Sequence, residues 1–138
     1  MNEILLNTTK FESASLDKLN KKDFPLTTEL LEKNKYRATD SVTTITIKGK
    51  DGPSALAIYR DRYNDENATT KRRLFCLEVA LSEHGRGLGH KLLEELKWDS
   101  DEITLGYLLG SKFFYIKEGF EESGENELKW KREIFNLD

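Results

Sequence analysis

Between an apolar run that ends at Leu81 and a leucine-patterned segment that begins at Leu88, the chain reads His84-Gly85-Arg86-Gly87-Leu88-Gly89. Glycines remove side chains where a backbone must come close to a ligand, and a helix behind them offers unpaired N–H groups and a positive dipole end. Anionic phosphates suit such a place. Arg86 would add a planar fork able to grip phosphate through two hydrogen bonds. The loop is therefore read as the phosphate site of a bound cofactor. A Walker-type loop would end in Gly-Lys-Ser/Thr, whereas Gly89 leads into His90-Lys91-Leu92. The dinucleotide fingerprint needs Gly-x-Gly-x-x-Gly early in a strand-helix-strand unit; here the spacing is Gly-x-Gly-x-Gly, late in the chain. Spacing argues against both.

The longer stretch Leu77-Glu78-Val79-Ala80-Leu81-Ser82-Glu83-His84-Gly85-Arg86-Gly87-Leu88-Gly89-His90-Lys91-Leu92-Leu93 resembles the acyl-CoA motif of the GNAT N-acetyltransferases, whose core reads Gln/Arg-x-x-Gly-x-Gly/Ala. His84 stands at the Gln/Arg position, Gly87 at the required glycine and Gly89 at the small residue. A second stretch, Phe114-Tyr115-Ile116-Lys117-Glu118-Gly119-Phe120, is similar to the family's Phe-Tyr-x-Lys-x-Gly-Phe segment. The resemblance runs from Leu74 to Ile134. It implies an α/β (α+β) fold, with a mixed, mostly antiparallel central sheet flanked by helices and split between the fourth and fifth strands. Acetyl-CoA, as acyl-donor cosubstrate, would lie in the gap. The backbone of Val79 and Leu81 would pair with its pantetheine arm next to Ala80. The N–H groups of Gly85, Arg86, Gly87, Leu88 and Gly89 would hold its pyrophosphate, and His84, His90, Ser111 and Tyr115 would complete the cofactor site.

The reaction so implied is direct acetyl transfer to a primary amine of a small molecule or peptide, without a covalent enzyme intermediate. Such transfer needs a base to leave the amine neutral, a donor for the oxyanion and an acid for the departing thiolate. Tyr115 matches the family's tyrosine that supplies the acid, and a phenol can donate that proton. Glu78 is the candidate base, because it alternates to the face opposite Leu77 and Val79 beside the expected gap. Phe113, Phe114 and Phe120 read as core. The chain departs from the family at Leu108 and Ser111, where asparagine and alanine are usual, at His84, and at Leu81, where proline is common. These departures motivate a second reading, a catalytically silent acyl-CoA-binding or protein-interaction module. A nucleotide-binding protein is a third.

The elements that must position these residues follow from periodicity. Ile4 to Thr9 reads as a first strand. Ser15 would cap a helix carrying Leu16 and Leu19, and Pro25 would start a second, with Leu26, Leu30 and Leu31 on one face. From Val42 the period becomes two, and Lys50-Asp51-Gly52 turns the chain into a strand from Ala55 to Tyr63. Asn64 to Thr70 reads as a loop. Leu74 to Leu81 follows as a strand with Phe75, Leu77, Val79 and Leu81 on one face. Leu88, Leu92, Leu93 and Leu96 recur at helical spacing. A strand from Ile103 to Leu108, a helix from Gly110 to Lys117 stopped by Gly119, and a final strand from Leu128 to Ile134 complete the order.

The 138 residues suit a single domain. A net charge of -3 argues against a nucleic-acid partner, which needs dense Lys and Arg. The run Lys71-Arg72-Arg73 reads as a solvated approach to a strand. The one cysteine, Cys76, reads as a small buried hydrophobe and excludes an internal disulfide or a multi-cysteine zinc cluster. No metal is expected. No apolar run approaches the roughly 20 residues of a membrane span, so a cytoplasmic protein is expected, and the resemblance implies a monomer or a homodimer.

Overall fold

A computed structural model describes residues 3–7, 19–34, 42–49, 52–107 and 111–133. Within them the order is β1 (Glu3–Asn7), α1 (Pro25–Asn34), β2 (Thr43–Lys48), β3 (Pro53–Asn64), β4 (Thr69–Val79), α2 (Leu88–Trp98), β5 (Glu102–Gly106), α3 (Lys112–Lys117), β6 (Glu121–Gly124) and β7 (Glu127–Lys131). One seven-stranded sheet runs β1-β2-β3-β4-β5-β7-β6. Every neighbouring pair is antiparallel except β4 and β5. The mixed, mostly antiparallel sheet flanked by helices is thus as expected. The Ser15-capped helix and Leu108 lie outside the described residues, as does Ile134. No described helix is long and apolar enough to cross a membrane.

The parting of the sheet is visible in the register. β4 pairs with β5 only from Lys71 to Leu74, against Glu102 to Leu105, although β4 continues to Val79. From Phe75 onward, β4 leaves its β5-facing edge open. Two apolar layers cover the sheet. On one face Leu88, Leu92, Leu93 and Leu96 of α2 pack on Ile45, Ile47, Ala55, Ala57, Ile103, Leu105 and Leu128. On the other, Phe24, Val42, Leu56, Ile58 and Ala80 form a smaller cluster beside α1. Burying each leucine of α2 contributes about 1.5–3 kcal/mol.

Three local expectations change. The segment Asn64 to Thr70 is the tip of a long hairpin, with Asn64 opposite Thr69. Both strands reach past the core there and lose the apolar alternation that marks a strand. The register shifts between Ile58 and Tyr59, so that Leu74 and Cys76 oppose consecutive residues and Phe75 is the extra one. This bulge sends Phe75 to the face of Cys76, away from Leu77 and Val79. Among the described side chains of α1 the buried one is Thr27, while Leu26 is 49% exposed.

Arg72, expected in solvent, is 3% exposed. It grips Asp61 through Nε at 2.7 Å and Nη2 at 2.9 Å, and its Nη1 donates to Asp99 at 2.7 Å and to the Leu96 carbonyl at 2.6 Å. Its guanidinium also lies 4.1 Å above the Tyr59 ring. Burial alone lowers the pKa, but the hydrogen bonds to Asp61 and Asp99 outweigh it and hold the group above its ordinary value. Arg72→Ala leaves these acceptors without their partner and is expected to cost about 3–5 kcal/mol by urea unfolding. Arg72→Lys should recover only part of that loss, because an ammonium cannot reproduce the two-pronged contact.

Cys76 packs under α1, its Sγ 3.2 Å from Thr27 Oγ1. Burial pushes its thiol from the ordinary 9.0 to about 11; the Thr27 contact opposes this and the Glu78 charge adds to it. The folded state therefore holds the proton that the unfolded chain releases first, a stabilisation complete below pH 9.0 and lost as pH rises through about 11. Denaturant titrations across that window should show stability falling, with this thiol contributing a slope of at most about 1.4 kcal/mol per pH unit. In Cys76→Ala that component of the slope should vanish.

Candidate active site

The open edge of β4 is one wall of a cleft. Ala80 N–H bonds the Ser54 carbonyl of β3 at 2.8 Å, so strand alternation turns the N–H and C=O groups of Leu77 and Val79 the other way, toward the edge β5 has left. Beyond β4 a short 3-10 turn, Leu81–Glu83, leads into the glycine loop. The cleft encloses about 500 Å³, lined by Pro25 and Leu26 of α1, Leu77, Glu78 and Val79 of β4, Leu81, and the segment from Glu83 to His90 except Arg86, with Phe114 of α3. Its walls are apolar along β4, α1 and α3, and its far end is the start of α2.

The loop's glycines serve different ends. Gly85 and Gly87 have φ of 86° and 72°, and nothing lies within 4 Å of a Cβ placed on either. Their role is to supply left-handed backbone that side-chain-bearing residues rarely adopt. Gly87 is the N-cap of α2, and the first helical bond runs from Lys91 N–H to the Gly87 carbonyl at 3.2 Å. The N–H groups of Leu88, Gly89 and His90 precede that bond and lie at the positive end of the helix. Gly89 differs: a Cβ there would stand 3.2 Å from the Phe114 ring, so its smallness lets α2 and α3 approach.

The side chains expected at the cofactor are distributed unevenly. His84 lines the cleft and its Nε2 lies 3.0 Å from the Val79 carbonyl, a contact that requires the proton on Nε2. Leu81 lines the cleft at its exposed rim, and its N–H bonds the Asp23 carbonyl at 3.1 Å. Ala80 is buried beneath. Arg86 is exposed, paired with Glu83 and not part of the lining; its fork points to a neighbour on its own loop. Ser111 precedes α3 and does not line the cleft.

Glu78, the candidate base, is 6% exposed and bonded to α1. Its Oε2 accepts the Leu26 N–H at 2.9 Å, and its Oε1 accepts the Thr27 N–H at 2.6 Å and the Thr27 hydroxyl at 2.7 Å. It caps α1 from 52 residues away. Tyr115 is 7% exposed, edge-on to Phe114 and Phe120 at 5.0 and 5.5 Å between ring centroids, and is absent from the cleft lining. Burial, aided by the nearby Cys76, holds its phenol well above the usual range, so it stays protonated. Phe120 is core, Phe114 is the cleft floor, and Phe113, expected as core, is 76% exposed.

Sequence reasoning missed the α1 wall and the partner of His90. Pro25 marked a helix start, but nothing in the sequence aimed that start at β4. His90 Nδ1 lies 2.5 and 2.8 Å from the two Glu118 oxygens, and a carboxylate oxygen of Glu94 lies within 4.8 Å of this pair. Lys97, 3.7 Å from Glu94 and bonded to the Glu118 carbonyl at 2.6 Å, already brings a positive charge to this exposed network.

No protein-family model and no curated protein matches the sequence. Solved structures do match. The Bacillus subtilis N-acetyltransferase YlbP bound to coenzyme A shares 19% identity, with a TM-score of 0.60 over 96% of this chain and 97% of its own. A GNAT family acetyltransferase from Elizabethkingia anophelis with acetyl-CoA bound shares 15%, with a TM-score of 0.61 over 95% and 98%. A chain of the KacTA-DNA complex shares 12%, with a TM-score of 0.65 over 95% and 93%. The parted β4–β5 pair, the glycine loop and these alignments together give the chain the fold of the GNAT acetyltransferases.

Proposed function

We propose that the protein is an acetyl-CoA-dependent N-acetyltransferase that acts by direct transfer on a primary amine of a small molecule or peptide. The observation that carries this reading is one continuous cleft that follows the open edge of β4 and ends on the N-terminus of α2. An apolar, thin arm with free edge hydrogen bonds on one side and an anionic group at the far end matches that shape. Pantetheine joined to a pyrophosphate has this form, and two structures of this fold hold coenzyme A or acetyl-CoA. In this chain Val79 would pair with the arm, and the N–H groups from Gly85 to Gly89 would hold the pyrophosphate. His84 would release the Val79 carbonyl as the arm enters.

In the transfer step the neutral amine attacks the thioester carbonyl, the C–S bond breaks and the amine nitrogen loses a proton to solvent. Tyr115, kept neutral by burial, is proposed to protonate the leaving sulfur. Its absence from the cleft lining favours a second reading, a silent module that binds acyl-CoA without turnover. The proposed partner is an amine acceptor in either a cytoplasmic monomer or homodimer, and an acidic chain with net charge -3 is a poor match for a phosphate backbone.

Calorimetry should show acetyl-CoA binding more tightly than ATP or NAD, and stronger ATP or NAD binding would overturn the cofactor. Gly87→Ala should weaken acetyl-CoA binding and, through its left-handed backbone, destabilise the fold by about 1–2 kcal/mol. Incubation with acetyl-CoA and a panel of primary amines should release free thiol. Tyr115→Phe should then lower kcat about a hundredfold with unchanged acetyl-CoA affinity. Binding without thiol release on any amine would establish the silent module instead.

A further inference from the structure

We propose that Glu78 is a positioning residue whose carboxylate fixes the N-terminus of α1 as one wall of the cleft, and so sets the affinity for the acyl donor. The proposal rests on the acetyl-CoA reading above and deepens it. The start of α1 has few means of its own to stay in place. Leu26, which lines the cleft, is 49% exposed, and Pro25 beside it is exposed too. Only Phe24 and Thr27 are buried there. Phe24 seats the residue before the helix in the apolar cluster, and the rest of the hold is polar.

Proline carries no N–H, so the first donors of this helix are those of Leu26 and Thr27, and both end on Glu78. The next, Thr28 N–H, bonds the Phe24 carbonyl at 3.0 Å. Thr27 adds its hydroxyl to the same carboxylate. A negative charge at a helix N-terminus is also favoured by the dipole. On the other flank the Leu81 N–H bonds the Asp23 carbonyl at 3.1 Å. The start of α1 is therefore hooked to β4 through Glu78 and to the turn after β4 through Leu81, around the cleft-lining pair Pro25 and Leu26, and the stronger hook is the charged one.

A base would need a lone pair turned toward the acceptor, whereas both oxygens of Glu78 accept hydrogen bonds from α1. The consequence is a separation of effects that neither a base nor a plain stability role predicts. In Glu78→Gln an amide N–H₂ confronts one of the N–H donors, so the wall loosens while the shape is kept. Measured on the full chain, Glu78→Gln should weaken acetyl-CoA binding by about tenfold, the fold-change that one charge-assisted hydrogen bond is worth. Amide hydrogen exchange at Leu26, Thr27 and Thr28 should speed up by about as much, while the amides of α2 keep wild-type protection. Glu78→Asp should restore part of the affinity, and kcat at saturating acetyl-CoA should hold within about threefold.

Faster exchange in α1 with unchanged affinity would overturn the proposal in favour of a purely structural cap. A fall in kcat at unchanged affinity would overturn it in favour of a catalytic base. Should Glu78→Gln not fold, Thr27→Val removes one donor and carries the same comparison. If the wild-type protein binds no acetyl-CoA, the cofactor reading falls, and the cleft half of this proposal with it. Exchange in α1 then decides the anchor alone: amides as labile in wild type as in the variants would show that no anchor exists.

Discussion

Two parallel strands cannot be joined by a tight turn, so β4 must hand the chain to α2 before it can return alongside as β5. That one constraint organises the molecule. It places the N-terminus of a helix at the carboxyl end of β4, the position where open sheets of this kind receive ligands. It also places the β4–β5 parting beside the same helix end, because β5 ends at Gly106 while β4 runs on to Val79. An unpaired strand edge and an unpaired helix end thus meet in one cleft.

β4 then has to hold two helices in place, and it does so with two buried charges of opposite sign. Arg72, on the half of β4 that still pairs with β5, bonds the Leu96 carbonyl and Asp99 at the C-terminal end of α2. Glu78, on the half that has parted, bonds the Leu26 and Thr27 N–H groups at the N-terminal end of α1. Each charge meets the helix end whose dipole attracts it. Each is also held by several hydrogen-bond partners, which a buried charge requires. The apolar layers supply most of the burial energy, and these two residues tie one end of each helix to β4.

The sequence revealed what repeats and hid what does not. The period of two from Thr43 to Ile47 and the leucines at 88, 92, 93 and 96 located β2 and α2, since burial on one face imposes a pattern. Phe75 was misplaced because a bulge shifts the alternation by one residue without leaving a local mark. Arg72 read as solvated because its three acceptors lie 11 to 27 positions away and in no periodic relation to it. Glu78 was singled out by its alternation, and its neighbourhood to the cleft was legible. Its task was not, because the donors that claim it sit on a helix 52 residues back.

A glycine motif read as one device also turns out to be built from separate requirements. At Gly85 and Gly87 the need is dihedral: the chain must adopt positive φ twice for the loop to end on the helix axis with its N–H groups facing outward. At Gly89 the need is steric, and its object is another element altogether. With no Cβ there, the Phe114 ring rests against α2 and becomes the floor of the cleft, while the next residue, Tyr115, turns into the core between Phe114 and Phe120. The two sequence motifs, far apart in the chain, are therefore one packing unit. The spacing of the glycines shapes the end of the cleft at α2, and the last of them sets how closely Phe114 of α3 can approach that helix.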